Sequence, residues 1–539
     1  MTPSHKAGSP DPFDAGLASG WNVIDASALA QDITLDADVA IVGSGAGGGT
    51  AAEILAKAGL KVVVLEEGPL KRSADFRMRE AEAYPQLYQD SAARKTRDKA
   101  INILQGRCVG GGTTVNWTSS FRTPPATLDW WHREFGLTGF AVDDLAPWFA
   151  QMEERLSIGP WQVAPNANNE ALARGARRIG ITASAIRRNV IGCWNLGYCG
   201  MGCPTNAKQS MLVTTIPGAL ANGATLVTGV RARSLAMQGG RVAQLDGNAM
   251  NAQGIAPTSR GVRVRARVFV MAAGAIGTPA LLLRSGVPDP HGILGKRTFL
   301  HPAVVSAALM PERIDGFAGA PQTVYSDHFL ETQPIDGPLG YKLEAPPLHP
   351  VLTAITLPDD GVAHARWMQD FPRMQVLIAL LRDGFHPESQ GGMVRLRDDG
   401  SPQLDYPLLP VLWDGARRAL RSMAEIQFAA GAQTVMPVHA QGAAYTNFAD
   451  ARAAIDAFPL QPLVTPVVSA HVMGGAPLGP DPKRAVVAAN GGHHQVENLY
   501  VFDGSLFPTS IGANPQLSIY GIVARLATAL AQQLAPPRA

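Results

Sequence analysis

Ala37-Asp38-Val39-Ala40-Ile41-Val42-Gly43-Ser44-Gly45-Ala46-Gly47-Gly48-Gly49 is the stretch that decides the fold. Its Val- and Ile-rich run reads as a buried parallel strand. The run ends at Gly43-x-Gly45-x-x-Gly48. Ala51, Ile54, Leu55 and Ala58 then recur at helical spacing up to Gly59, and a second apolar strand, Lys61-Val62-Val63-Val64-Leu65, ends at Glu66. Strand, glycine turn, helix, strand and acid each have a task. Gly43 makes the tight turn, Gly45 lets the backbone approach a pyrophosphate, and Gly48 lets helix and strand pack closely. The helix N-terminus offers free N–H groups to the phosphates, and Glu66 can accept from the hydroxyls of an adenosine ribose. The unit predicts a dinucleotide site without separating FAD from NAD.

The remaining composition narrows the class. The chain has 539 residues, of which 46% are apolar and 17% charged, so it can bury two large structural regions. A formal net charge of +2 gives no broad footprint for nucleic acid. No stretch has the apolar length of a membrane span, and residues 1–36 show neither a basic n-region with an apolar core nor a twin arginine. The expectation is therefore a cytoplasmic protein that begins with an N-terminal arm, extended or partly disordered. Four cysteines in a chain this long do not make a disulfide framework.

Three later segments carry further signals. Gln105-Gly106-Arg107-Cys108-Val109-Gly110-Gly111-Gly112-Thr113-Thr114-Val115-Asn116-Trp117 lets a backbone lie flat against a planar ligand. Val268-Phe269-Val270-Met271 reads as a buried strand, followed by a turn into a helix whose first turn suits Pro279. Leu499-Tyr500-Val501-Phe502-Asp503 reads as a strand ending in an acid. After a loop, Asn514-Pro515 opens a helix over 516–534 with Ile519, Val523, Leu526 and Leu530 on one face.

Taken together, four blocks (residues 39–68, 106–117, 272–286 and 499–525) resemble the glucose-methanol-choline (GMC) flavin oxidoreductases, in that family's order. The resemblance implies an α/β chain, α+β overall. It would pair a Rossmann-like FAD-binding domain with a discontinuous substrate domain built on an antiparallel sheet. The expected division is an arm at 1–36, FAD-binding parts at 37–123, 191–301 and 466–539, a lid or substrate-side segment at 124–190, and a substrate domain at 302–465. By resemblance the cofactor is FAD. Gly43, Gly45, Gly48 and Glu66 would hold its ADP half, Val230 would contact the adenine side through its backbone, and Gly110, Gly112 and Asn116 would lie against the isoalloxazine. Asp503 would reach the middle of the cofactor, and the helix that Pro515 opens would aim its positive end at the flavin. Some relatives attach FAD through a His in the glycine loop. Val115 stands there in this chain, so the FAD is expected to be noncovalent.

The same resemblance assigns chemistry. His471, in Ser469-Ala470-His471-Val472-Met473-Gly474-Gly475, would be the base for the alcohol proton, and Asn514 would orient the oxygen for hydride transfer. The glycine loop and the block before Ala207-Lys208-Gln209-Ser210 look most like long-chain alcohol oxidases and dehydrogenases. That implies a primary, lipophilic alcohol as substrate, with oxygen or a quinone or protein as electron acceptor. Cys193, Cys199 and Cys203, in a C-x5-C-x3-C-P spacing, resemble the [3Fe–4S] ligands of some membrane-linked sugar dehydrogenases. The other reading is a glycine-rich loop with free thiols. With such a cluster the chain would be a sugar or polyol dehydrogenase subunit that passes electrons to a partner, and a third function, hydroxynitrile-lyase-like chemistry with a silent flavin, also uses this fold. Finally, residues 362–381 are rich in large apolar side chains and are interrupted by Pro372. They read either as a core element or as a kinked, greasy gate in peripheral contact with a membrane.

Overall fold

The computed structural model describes residues 10–358 and 360–534. Its first sheet is built on the strand that opened the sequence analysis, Ile33–Val42. Val62–Leu65 lies parallel to it on one side, and Thr225–Thr228 follows beyond. On its other side the C-terminal half of Pro257–Met271 runs parallel, and that strand also takes Leu499–Val501 in parallel register. Arg241–Met250 and Val230–Gln238 extend the sheet as antiparallel strands. The helix Ala46–Lys57 packs against the C-terminal helix Gln516–Leu534. Val39, Ala40, Ile41, Leu55 and Val62 are all fully buried between these layers, which is what a near-continuous apolar strand requires.

Two expectations are corrected in this layer. The N-terminal segment is no loose arm over its described part. Phe13, in the helix Pro12–Ala18, enters the core, and Asn22–Asp25 pairs in parallel with Thr225–Thr228 as the outermost strand. Residues 1–9 lie outside the described residues. Pro279 lies inside the helix Gly274–Arg284 rather than in its first turn. The helix starts early because side chains replace a conventional start: Gly274 N–H donates to Asp503 Oδ2 at 2.9 Å, and Ala273 N–H donates to Thr278 Oγ1 at 3.0 Å.

The second sheet runs in the order Ile101–Ile103, Val467–Ser469, Ala303–Leu309, Met374–Leu381, Tyr341–Glu344, Val324–Ser326, Ser184–Ala185. Its pairs are antiparallel apart from the one at the Ile101–Ile103 edge. The 20-residue helix Pro410–Ala429 covers one face. Met374–Leu381 is a strand with every residue buried, so Leu377 and Leu381 belong to the core and no kinked helix forms there. The α-helix before it, Gly361–Gln369, leaves Val362 71% exposed, and a single 3-10 turn, Phe371–Arg373, carries Pro372 between the two. Among the described residues no helix is long and apolar enough to cross a membrane.

Candidate active site

The two glycine-rich loops touch each other. A Cβ on Gly111 would stand 2.9 Å from Gly45 Cα, and Gly110 and Gly111 have positive φ angles of 86° and 53°. Side chains on these residues would force the loops apart. The loops are also bonded. Ser44 donates from both N and Oγ to Glu66 Oε2 (3.1 and 2.6 Å), Gly68 N–H donates to Glu66 Oε1 (2.8 Å), and Gly110 N–H donates to Ser44 Oγ (3.0 Å). Burial pushes the Glu66 carboxyl up, against the pull of these donors. Glu66 thus clips the phosphate loop to the flavin-side loop, a role of Ser44 and Glu66 that sequence reading missed. A carboxylate has about four acceptor directions, so a ribose hydroxyl can still be accommodated.

The other expected cofactor residues continue the same ribbon. Val230 N–H donates to the Glu66 carbonyl at 3.0 Å. Asp503 is buried, accepts from Gly274 N–H and Thr278 Oγ1 through Oδ2, and accepts from Ser505 N–H at 2.8 Å through Oδ1. Asn116 Nδ2 donates to Gln516 Oε1 at 2.6 Å, which ties the glycine loop to the helix that follows Pro515. The residues fit FAD on two observations. Gly45 caps the helix Ala46–Lys57 without any side chain over its N-terminal N–H groups. A Cβ built on Gly112 meets nothing within 4 Å, so open space lies along the loop that the isoalloxazine would face.

The cysteines do not fit an iron–sulfur cluster. Cys193 Sγ accepts from Asn195 N–H at 3.4 Å, Arg188 lies 3.9 Å from Cys199 Sγ, and Cys203 Sγ lies 3.5 Å from Thr205 Oγ1. Each thiol has its own neighbour, and among the described residues no three His, Cys, Asp or Glu side chains converge as a metal site. The loop instead buttresses the glycine loop that ends at Asn116. Buried Lys208 donates to the carbonyls of Thr114, Asn116 and Cys199 at 2.7, 2.8 and 2.7 Å, and Tyr88 OH donates to the Gly200 carbonyl at 2.6 Å.

His471 and Asn514 come together as expected: Asn514 Nδ2 is 3.5 Å from His471 Nε2. His471 is half-buried. Desolvation first, and the charge of Lys342 second, push its imidazole from 6.5 down to about 3, so at physiological pH the ring is neutral, with one nitrogen free to accept a hydrogen bond from a hydroxyl. Three further residues complete the group. His301 Nδ1 lies 3.5 Å from His471 Nδ1, and Gly512 N–H donates to His301 Nε2 at 3.0 Å. His301 has a positive φ of 45°, and the buried Asp383 carboxylate holds it there by accepting from the N–H groups of Leu300 and His301. Lys342 donates to Asn514 Oδ1 at 2.9 Å, and Asn514 Nδ2 donates to Glu344 Oε2 at 3.3 Å. Tyr341-Lys342-Leu343-Glu344 does alternate. That pattern signals a strand, but it points to solvent rather than to a buried site for its polar face.

Comparison with known proteins gives the family. The GMC oxidoreductase family models match residues 84–303 and 387–522, and a FAD binding domain model matches residues 38–81. An uncharacterised GMC-type oxidoreductase of Mycobacterium tuberculosis is 31% identical over 91% of this chain and 75% of its own length. The chain belongs to the GMC oxidoreductase family. As a GMC protein it is an FAD-dependent oxidoreductase acting on CH–OH donors. A long-chain-alcohol oxidase of Arabidopsis thaliana is 29% identical over 90% of this chain and 67% of that protein. The solved structure of formate oxidase from Aspergillus oryzae superposes with a TM-score of 0.69 at 16% identity, covering 94% of this chain and all of that one, and shows the shared GMC fold.

Proposed function

We propose that this chain oxidises a primary, lipophilic alcohol to the aldehyde, with His471 taking the hydroxyl proton and Asn514 orienting the oxygen. The observation that carries the reading is the 3.5 Å approach of Asn514 Nδ2 to His471 Nε2. An oxygen between those two nitrogens would give its proton to one and receive a hydrogen bond from the other as negative charge develops. Bound FAD supplies the two-electron acceptor that takes the carbinol hydride. Gly45, Gly110, Gly112, Asn116 and the helix after Pro515 are the residues that would hold it. The lipophilic substrate class is supported by the likeness to the plant long-chain-alcohol oxidase.

The test is anaerobic flavin reduction across a series of primary alcohols from ethanol to 1-hexadecanol, followed by the loss of flavin absorbance. Bleaching that strengthens with chain length supports the reading. Bleaching by sugars or polyols alone would overturn the substrate class, and no bleaching by any alcohol would overturn the oxidation itself. A second expectation follows from Val115, which fills the buried end of the short helix Gly112–Val115 with an unreactive side chain. Acid precipitation is expected to leave FAD in the supernatant. Yellow colour retained by the denatured polypeptide would show a covalent link elsewhere.

A further inference from the structure

Lys342 and Glu344 sit two residues apart on the strand Tyr341–Glu344, so both point to the same face. The alternation that sends Tyr341 and Leu343 into the core beneath the helix Pro410–Ala429 turns Lys342 and Glu344 toward Asn514. Their side chains are 3% and 0% exposed, and their charged groups are 3.1 Å apart. The ammonium also stands 3.0 Å from the centroid of the Phe121 ring and 4.6 Å from that of Tyr325, two ring faces that favour a cation. A buried ion pair of this kind adds little stability over a well-packed apolar pair. Its contribution therefore has to be sought in what it touches, and what it touches is the Asn514 amide.

We propose that Lys342 is a positioning residue for the oxidation: its ammonium, held by Glu344, fixes and polarises the Asn514 amide so that Nδ2–H faces His471 and the reacting oxygen. This rests on the reading of His471 and Asn514 as the catalytic pair. The amide has one favourable orientation. Oδ1 accepts from the ammonium, and Nδ2 donates to the Glu344 carboxylate. A flipped amide would set its carbonyl against the carboxylate and its NH2 against the ammonium. Without the cation the amide could turn its oxygen toward a developing alkoxide, which would repel it. With the cation in place, charge drawn onto Oδ1 makes the N–H bonds stronger donors. A buried positive charge two bonds of contact away from the reacting oxygen also favours the alkoxide over the alcohol.

The charge state of Lys342 gives the idea a signature. Burial pushes its ammonium down to about 8, against the opposing charges of Glu344 and Asp327. The other groups facing it are Tyr325, whose hydroxyl burial pushes up, and the neutral rings of His471 and His301. The limiting rate of flavin reduction should therefore be flat below about pH 7 and fall as Lys342 loses its proton near pH 8.

Stopped-flow reduction of the FAD-loaded enzyme by 1-dodecanol in detergent, between pH 6 and pH 10, tests this. In Lys342→Met the limiting rate should fall by about 10- to 100-fold, the scale of one charged hydrogen bond, with the apparent affinity for the alcohol little changed and the limb near pH 8 gone. Glu344→Gln keeps the shape and the ammonium but removes the balancing charge, so the limb should move to lower pH by at least about one unit. The double variant Lys342→Met/Glu344→Leu replaces the pair by apolar groups, and it should fold even where the single variant does not. It should show the same slow, limb-free reduction. A flavin-loaded Lys342→Met or double variant that reduces at the wild-type rate, or that keeps the limb, overturns the proposal, as does an unmoved limb in Glu344→Gln. If His471→Ala reduces normally, the catalytic pair itself is wrong. If His471→Ala is slow but the Lys342 variants are normal, only the role of Lys342 falls.

Discussion

His471→Ala is expected to slow flavin reduction by a primary alcohol by about 10²–10⁴-fold, the usual worth of a positioned general base, with FAD content unchanged. The separation of the two readouts follows from the structure. His471 sits in the loop after Val467–Ser469, where its N–H lies 3.4 Å from Ser469 Oγ, and its ring touches His301 and Asn514 rather than the glycine loops. Removing the ring therefore leaves the Glu66–Ser44–Gly110 clip and the Gly45 helix start intact. Asn514→Ala should slow reduction less, through lost orientation, because the base remains. Rapid anaerobic mixing with absorbance detection near 450 nm measures both. A His471→Ala protein that bleaches at the wild-type rate would remove His471 from the chemistry.

The second large effect is expected at Gly47, where Gly47→Ala should abolish flavin loading. A Cβ there would stand 1.7 Å from the Phe502 carbonyl oxygen and 3.1 Å from Asp503 Cα. These are backbone atoms of the strand Leu499–Val501 and its continuation, and they cannot swing aside as a side chain would. The helix Ala46–Lys57 would have to retreat from the strand, taking the pyrophosphate-facing N-terminus with it. Gly59→Ala is the matched control. Gly59 has a positive φ of 81° but meets nothing within 4 Å, so its cost is backbone strain of about 1–2 kcal/mol and its flavin should remain. The ratio of flavin to protein absorbance after gel filtration distinguishes them. Equal flavin content in the two variants would show that the helix–strand contact does not shape the site.

The contrast between Gly47 and the expected glycines shows what could be read from the residues alone. Strand, turn and helix over 39–66 are local: periodicity and glycine spacing are set within a few residues, and the structure reproduces them. The helix after Asn514-Pro515 was legible for the same reason. Which glycine is most tightly enclosed was not, because Phe502 is more than 400 positions away. Met374–Leu381 has eight consecutive buried residues, and such a run carries no period to separate strand from helix. His471 and Asn514 were found only through the likeness of their surroundings to a known family. Lys342, Glu344 and His301 gave no such signal, since each is a single polar residue whose meaning comes from the sheet that delivers it. Cysteine spacing, likewise, does not report that the three thiols face different partners.

The line from Gly512 through His301 and His471 to Asn514 has donors fixed at both ends. Gly512 can only donate, and Lys342 and Glu344 leave the Asn514 amide only an N–H to offer. Two neutral imidazoles between them bring one proton each, giving four protons for three contacts. One contact must therefore be broken at rest, whichever tautomers the rings adopt. An alcohol entering between His471 and Asn514 adds one contact and one proton, so the surplus persists. An alkoxide adds the contact without the proton, and every partner is then satisfied. By this parity the empty line is mismatched by a single proton, and the deprotonated substrate is the guest that removes the mismatch.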